Sequence, residues 1–475
     1  MRERRVLGLV TAISAMASIF ALAISSGSSP PTSMVLLSAV CVATGLAVFI
    51  VDGGRRPTPA GVFFLSVAVF LGAAMAYLAA LGSGSEPTTV LLVGAITWGV
   101  MLATLLLYRR WTLQSEYWLE PRHVWKPTVG GRGGLGVASA GLVLAALIAE
   151  ELGVLGALPG ALGYAGLALS AATFITTRPV TRSKMGAPGR AVPLILVGLF
   201  VWQTFTGSGR LIVTGLILML VFAVGISWPT AALKPAVVIA LVPALMWAGA
   251  VDQSGLAGSR DASAAVLAEG AGLGSLYGPL DSLAEIRERE LDSSRDAVPR
   301  QLGATFWATA VVWVPRDLWE SKPLGWGAVL AETLSPQYRD GVDGHSDMAL
   351  LTGEFYANFG VVGLLLLPAP LAAFLAWLRR LESRYLRQSA LSRRQLVRLA
   401  ALFSAVASLS ELFWGGTFSW AARGGMGAGL LLLISFGFSD AAPPAGSETN
   451  DMATRSAART RVGNRRQRTQ FGSVA

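Results

Sequence analysis

The stretch TTVLLVGAITWGVMLATLLLY, Thr88 to Tyr108, holds no charged residue and ends against the pair Arg109 and Arg110. At 1.5 Å per helical residue it covers about the 30 Å of a bilayer's hydrocarbon, and it lacks the apolar–polar alternation of a barrel strand. In lipid every backbone N–H and C=O must find a partner inside the segment, so such a run reads as a membrane-crossing α-helix.

Working outward, runs of the same kind recur. They predict helices over Val6–Ser26, Val35–Val51, Ala60–Leu81, Thr88–Tyr108, Leu135–Ile148, Val154–Thr176, Ala191–Phe205, Arg210–Ser227 and Ala236–Val251. After a long gap come Phe359–Leu378, Leu399–Trp414 and Trp420–Phe438, for about twelve in all. The expectation is an all-α polytopic transmembrane bundle. Residues 1–251 hold nine helices, 252–358 form one large extracytoplasmic loop between helices 9 and 10, and 359–438 hold the last three. Residues 439–475 read as a disordered basic cytoplasmic tail drawn to anionic headgroups. A composition 53% hydrophobic and 14% charged, with mean hydropathy +0.57, agrees, since so much apolar matter does not fit inside a water-soluble core.

The net charge of +10 does not point to nucleic acid, because the basic residues sit in short loops between apolar runs, where they set orientation. Arg55 and Arg56, then Arg109 to Arg132, Arg178 to Arg190 and Arg379 to Arg398, fall on the side of the N-terminus. The alternate turns SSGSSPPTS, GSGSEP, EELG, TGSG and GGTFS carry almost no positive charge. Both termini are therefore expected in the cytoplasm, and the acidic loop outside it, in the inner membrane of a bacterium. The leader MRERR before a run ending FALAISS resembles a signal peptide, but the run is longer than a signal core and reads as an uncleaved first helix.

Cys41 is the sole cysteine, so no intrachain disulfide and no thiolate metal cluster is expected. There is no GxxxxGK[ST], HExxH, DxD or GxSxG, which excludes P-loop ATP hydrolysis and zinc proteolysis and leaves a metal- and cofactor-independent chemistry. No internal repeat supports a transporter of two related halves.

Within the large loop, Gln301 to Val314 is too short to span and predicts a helix along or re-entering the outer interface, while Asp281 to Arg295 predicts an exposed, charge-paired helix. The window VPRDLWESKPLGWG, Val314 to Gly327, gathers Arg316 and Lys322 around Trp319 between two prolines. Two cations on a stiff turn suit a phosphate or diphosphate, with lipid headgroups or Asp317 and Glu320 as the plainer partners. Trp307, Trp313, Trp319 and Trp326 read either as an interfacial belt or as platforms for sugar rings. Arg210 stands at an outer helix junction, where an arginine is costly unless it snorkels. His345, and Glu354 with Asn358 one helical turn on, are candidates to take a proton from a hydroxyl, or are structural hydrogen-bonding groups.

The order of these features resembles the O-antigen polymerase and ligase superfamily, in particular its Wzy-type oligosaccharide repeat unit polymerases. The carrying residues are Pro315, Arg316, Trp319, Lys322 and Pro323, then Gly353, Glu354, Tyr356, Asn358, Phe359 and Gly360, with Arg210 as the earlier arginine. Here Arg210 follows Ser-Gly, where the family more often has Ser-Arg-Gly. The resemblance implies joining of glycan repeat units carried on a polyprenyl diphosphate at the outer membrane face, with a chain-length regulator and a flippase as partners. For that chemistry the expected catalytic residues are Arg210, Arg316, His345 and Glu354, with Arg210, Arg316 and Lys322 on the diphosphate and His345 or Glu354 taking the acceptor proton, while Lys322, Trp319, Tyr356 and Asn358 are expected to bind substrate. A ligase passing glycan to a lipid or protein acceptor, a transporter or flippase, and a sugar-binding scaffold are the alternatives.

Overall fold

The computed structural model describes residues 2–25, 28–82, 84–113, 132–152, 157–176, 210–225, 232–238, 274–292, 297–334, 347–388 and 391–438. Among these there is no strand, and the regular structure is helical. Among the described residues, three helices are long and apolar enough to cross a membrane, or up to five if each of two bent pairs is one span. The expected helices over Ala191–Phe205 and most of Ala236–Val251, and the tail 439–475, lie outside the described residues.

The first helices follow the hydropathy closely: α1 Arg2–Ser25, α2 Pro30–Val51, α3 Pro59–Leu81 and α4 Pro87–Leu113. Thr58 caps α3 by accepting from the Gly61 N–H, and a proline opens each of α2, α3 and α4, where a missing N–H costs nothing. Then come α5 Arg132–Glu151, α6 Leu158–Thr176 and α7 Arg210–Gly225. α1 packs on α2, α2 on α3, α5 on α6, and α6 on α7.

Where α2 ends, the Lys234 ammonium donates to the carbonyls of Phe49, Ile50 and Asp52 at 2.9, 3.2 and 2.8 Å. These are among the carbonyls a helix C-terminus leaves without internal partners, so a buried lysine is satisfied by a buried helix end. Beside it, Thr58 and Tyr108 donate to Asp52 Oδ2.

The segment expected as an outer loop is largely helical where described: α8 Gly274–Leu291, α9 Ala304–Ala310, a 3-10 turn Arg316–Leu318 and α10 Trp326–Leu334. α8 is half-buried rather than wholly exposed, since Leu276, Leu280, Leu283, Ala284 and Ile286 pack inward while Arg289 pairs with Glu285 at 2.6 Å.

The C-terminal part departs most from the expected boundaries. α11 runs Leu350–Leu366 with a non-helical break at Gly360, so GEFYAN is helical ahead of the break, next to the expected span start at Phe359, and α12 Pro368–Leu386 continues after a bend of 72°. α13 Arg393–Ala407 turns by 84° at Ser408 into α14 Leu409–Trp420, which passes through a π-helical stretch, Ala421–Gly425, into α15 Met426–Phe436. The expected turn GGTFS lies within the bounds of α14 and holds the non-helical break at Gly416. α11 packs on α14, with α9 against both.

Candidate functional site

Two glycines build the site. Gly360 has φ 63° and ψ −146° inside α11, and Gly416 has φ 83° and ψ −169° inside α14. These are backbone conformations that L side chains rarely adopt, and each breaks its helix. At the first break the carbonyls of Tyr356 and Ala357 lose their partners four residues on. The Arg300 guanidinium donates to the Tyr356 carbonyl and the Gln301 N–H to that of Ala357 at 3.0 Å, so the preceding strand of chain replaces the missing helix.

At the second break the Thr417 N–H begins a new helical segment, and Glu354 caps it from α11. Its Oε2 accepts from Thr417 N at 2.6 Å, and its Oε1 accepts from the hydroxyls of Thr417 and Thr305, both at 2.9 Å. A carboxylate at a helix start meets both unsatisfied N–H groups and the positive end of the dipole. A Cβ on Gly416 would overlap Glu354 Oε2 well inside van der Waals contact. Only glycine admits the carboxylate here.

Asn358, one turn beyond Glu354, completes the arrangement. Its amide donates to Thr305 Oγ1 at 2.8 Å and to the Glu354 carbonyl at 2.7 Å, and its Oδ1 accepts from Gly303 N at 2.7 Å. Thr309 and Thr417 share a hydrogen bond at 3.0 Å. Glu354, Asn358 and Thr305 are fully buried. α9 therefore lies over the carboxylate like a cover, and for Glu354 to reach a substrate hydroxyl directly, Thr305 or Thr417 must yield its bond or pass the proton on.

The cationic turn sits at the other end of α9. Lys322 donates from its buried ammonium to the carbonyls of Val312 and Val314 at 3.0 and 2.7 Å, closing the end of the helical segment. Burial, and after it the neighbouring Arg316 guanidinium, lowers the Lys322 pKa below the ordinary lysine value. Arg316 donates to the carbonyls of Lys322 and Pro323 at 3.1 and 3.4 Å and is otherwise exposed. Trp319 donates its indole N–H to Ser321 at 2.9 Å and is half-buried.

Tyr356 points into a different network. The Arg300 guanidinium lies 4.7 Å from its ring centroid, Arg287 donates to its hydroxyl at 3.2 Å, and that hydroxyl donates to Glu290. Arg300 and Arg287 also pair with Glu290 at 2.8 and 3.3 Å. Arg210 is the first residue of α7, and His345 lies outside the described residues. Among the expected site residues, then, Glu354 and Asn358 share one polar pocket and Arg316, Lys322 and Trp319 one turn.

Residues that motif reading missed are Thr305, Thr417, Gly416, Arg300 and Glu290. A threonine in TFWAT or GGTFSW looks like any other in a membrane helix, and nothing local marks it as a partner of Glu354. Away from this pocket, Arg423 of the π-helical stretch lies 3.0 Å from Glu411 of α14, and the Tyr164 hydroxyl donates to Glu411 at 2.6 Å. The chain matches no family model, no curated protein and no solved structure.

Proposed function

We propose that this chain is a polymerase of polyprenyl-diphosphate-linked oligosaccharide repeat units, acting without a metal at the outer face of a bacterial cytoplasmic membrane. The observation that supports it is that α9 meets the Glu354 pocket at its start, through Thr305, and runs at its end into the turn whose Val312 and Val314 carbonyls Lys322 holds. A buried carboxylate and an exposed guanidinium are thereby held at the two ends of one short element.

In this reading the acceptor hydroxyl oxygen bonds to the anomeric carbon of the donor glycan while the bond from that carbon to the diphosphate oxygen breaks. Arg316, whose guanidinium has five N–H groups of which two hydrogen bonds occupy part, takes the growing charge of the leaving diphosphate with Arg210. Lys322 shapes the turn by holding Val312 and Val314. The hydroxyl proton goes to Glu354 by way of Thr305 or Thr417, or to His345. Asn358 fixes Glu354, and Trp319 faces the sugars, while Tyr356 stays tied to Arg287 and Glu290.

A second reading draws on the broken helices. Two spans interrupted at Gly360 and Gly416, meeting at a buried carboxylate, resemble the substrate sites of secondary transporters. Purified protein in liposomes, supplied with lipid-linked repeat units from its host, separates the two. Polymerisation yields a ladder of longer glycans with release of polyprenyl diphosphate. Unchanged repeat units, moved or not, would remove the polymerase reading.

A further inference from the structure

α9 and the turn after it have two faces. Thr305, Ala308, Val311 and Val312 are buried against α11 and α14, while Leu302, Trp307, Trp313 and Leu318 stand out at 81, 56, 68 and 80% exposure. Leu302 is held outward by a left-handed backbone, φ 46°, which a leucine adopts only when its surroundings impose it. The Trp313 indole N–H donates to the Ala310 carbonyl at 3.2 Å, so the ring's one polar group is satisfied within the chain.

This outward face is continuous with a second apolar surface. A Cβ on Gly303 would lie 3.9 Å from the Phe359 ring, and past that ring the lower part of α11 exposes Val361, Val362, Leu365 and Leu366. That part of α11 belongs to one of the bent pairs apolar enough to cross a membrane. Arg300 and Arg316, both exposed in part, border the face near the Gly360 break and at the start of the 3-10 turn.

We propose that Leu302, Trp307, Trp313 and Leu318 form a membrane-surface contact, seated at the boundary between acyl chains and headgroups of the bilayer that receives α11. Aromatic rings with a polar edge favour that depth, and arginines beside them reach the phosphates. The cover over Glu354 is then a lipid-anchored element, and the pocket lies just beneath the lipid surface rather than in the aqueous loop. This inference does not depend on the reaction assigned above.

The test is site-directed spin labelling of the full chain in nanodiscs of mixed zwitterionic and anionic phospholipid. Cys41 is fully buried, so a label goes to an introduced cysteine. For Leu318→Cys and Trp313→Cys, collisions with oxygen exceed those with a water-soluble nickel chelate several-fold, and for Glu320→Cys, on the exposed side of the turn, the order reverses. Chelate dominance at Leu318 and Trp313 as well would overturn the proposal. So would low collision rates with both reagents, which would mean that protein covers the face.

Discussion

Glu354 Oε2 accepts the backbone N–H of Thr417 at 2.6 Å, joining two broken helices that lie 63 residues apart in the chain. Each partner explains the other. Without the break at Gly416 the Thr417 N–H would bond within its own helix, and without that N–H and two threonine hydroxyls the buried carboxylate would stand unpaired.

Glu354→Ala leaves the buried Thr305 hydroxyl without its acceptor, at about 1–3 kcal/mol, and also frees the half-buried Thr417 N–H and hydroxyl. Glu354→Gln keeps an acceptor for the hydroxyls and loses less. The melting temperature of detergent-purified protein therefore falls more for alanine than for glutamine. If Glu354 moves the acceptor proton, glycan synthesis falls roughly a hundredfold or more in both variants.

Gly416→Ala forces a β-carbon into Glu354 Oε2 at a left-handed position, a strain of about 1–2 kcal/mol before the clash is counted. A Cβ on Gly429, in α15, meets nothing within 4 Å, and alanine there is neutral or gains up to about 1 kcal/mol. Thermal melts of the two variants should move in opposite directions or differ by several degrees. Equal melting temperatures would contradict the placement of Gly416 against Glu354.

Glu411→Leu removes the buried half of the pair and leaves the partly exposed Arg423 guanidinium and the Tyr164 hydroxyl without their acceptor, at about 1–3 kcal/mol. Adding Arg423→Leu should recover much of that loss. A double-mutant cycle on unfolding in mixed detergent measures the coupling, and additive losses would contradict it.

Lys322 gives a pH prediction. A lysine whose folded pKa lies below its unfolded one destabilises the fold while both states are charged, and the penalty disappears as pH rises from the folded value to the unfolded one. Stability of the turn should therefore rise with pH on approach to the ordinary lysine value of about 10.4, since the neutral amine still donates to Val312 and Val314. Limited proteolysis after Arg316 across that range reads the effect. Lys322→Met should abolish the slope.

The apolar spans were legible because hydrocarbon thickness imposes their length, and α1 to α4 begin and end close to where the hydropathy put them. Glu354 and Asn358 on one helical face were legible too, since spacing alone decides that. The boundaries read at Phe359 and at GGTFS fall at the Gly360 and Gly416 breaks, and what the chain did not disclose is what holds each break open. Gly360 and Gly416 stand among 54 glycines, and what sets them apart is a partner from elsewhere, Arg300 and Gln301 for one and Glu354 for the other. GGTFS read as a turn between spans and does hold the Gly416 break, whereas the 84° bend at Ser408 gave no signal in the sequence. The charge-rich turn PRDLWESKP read as a ligand site on composition, whereas its lysine chiefly caps the chain that precedes it.

The central claim is glycan polymerisation, and the most direct measurement deletes this protein in its host and sizes the lipid-linked and surface glycans on a gel. The account predicts loss of long glycan and accumulation of single repeat units on the polyprenyl carrier, restored by the native chain and not by Arg316→Ala or Glu354→Gln. Full-length polymer held on the carrier would point to a ligase instead, and unchanged glycan lengths on both carrier and surface would contradict the claim outright.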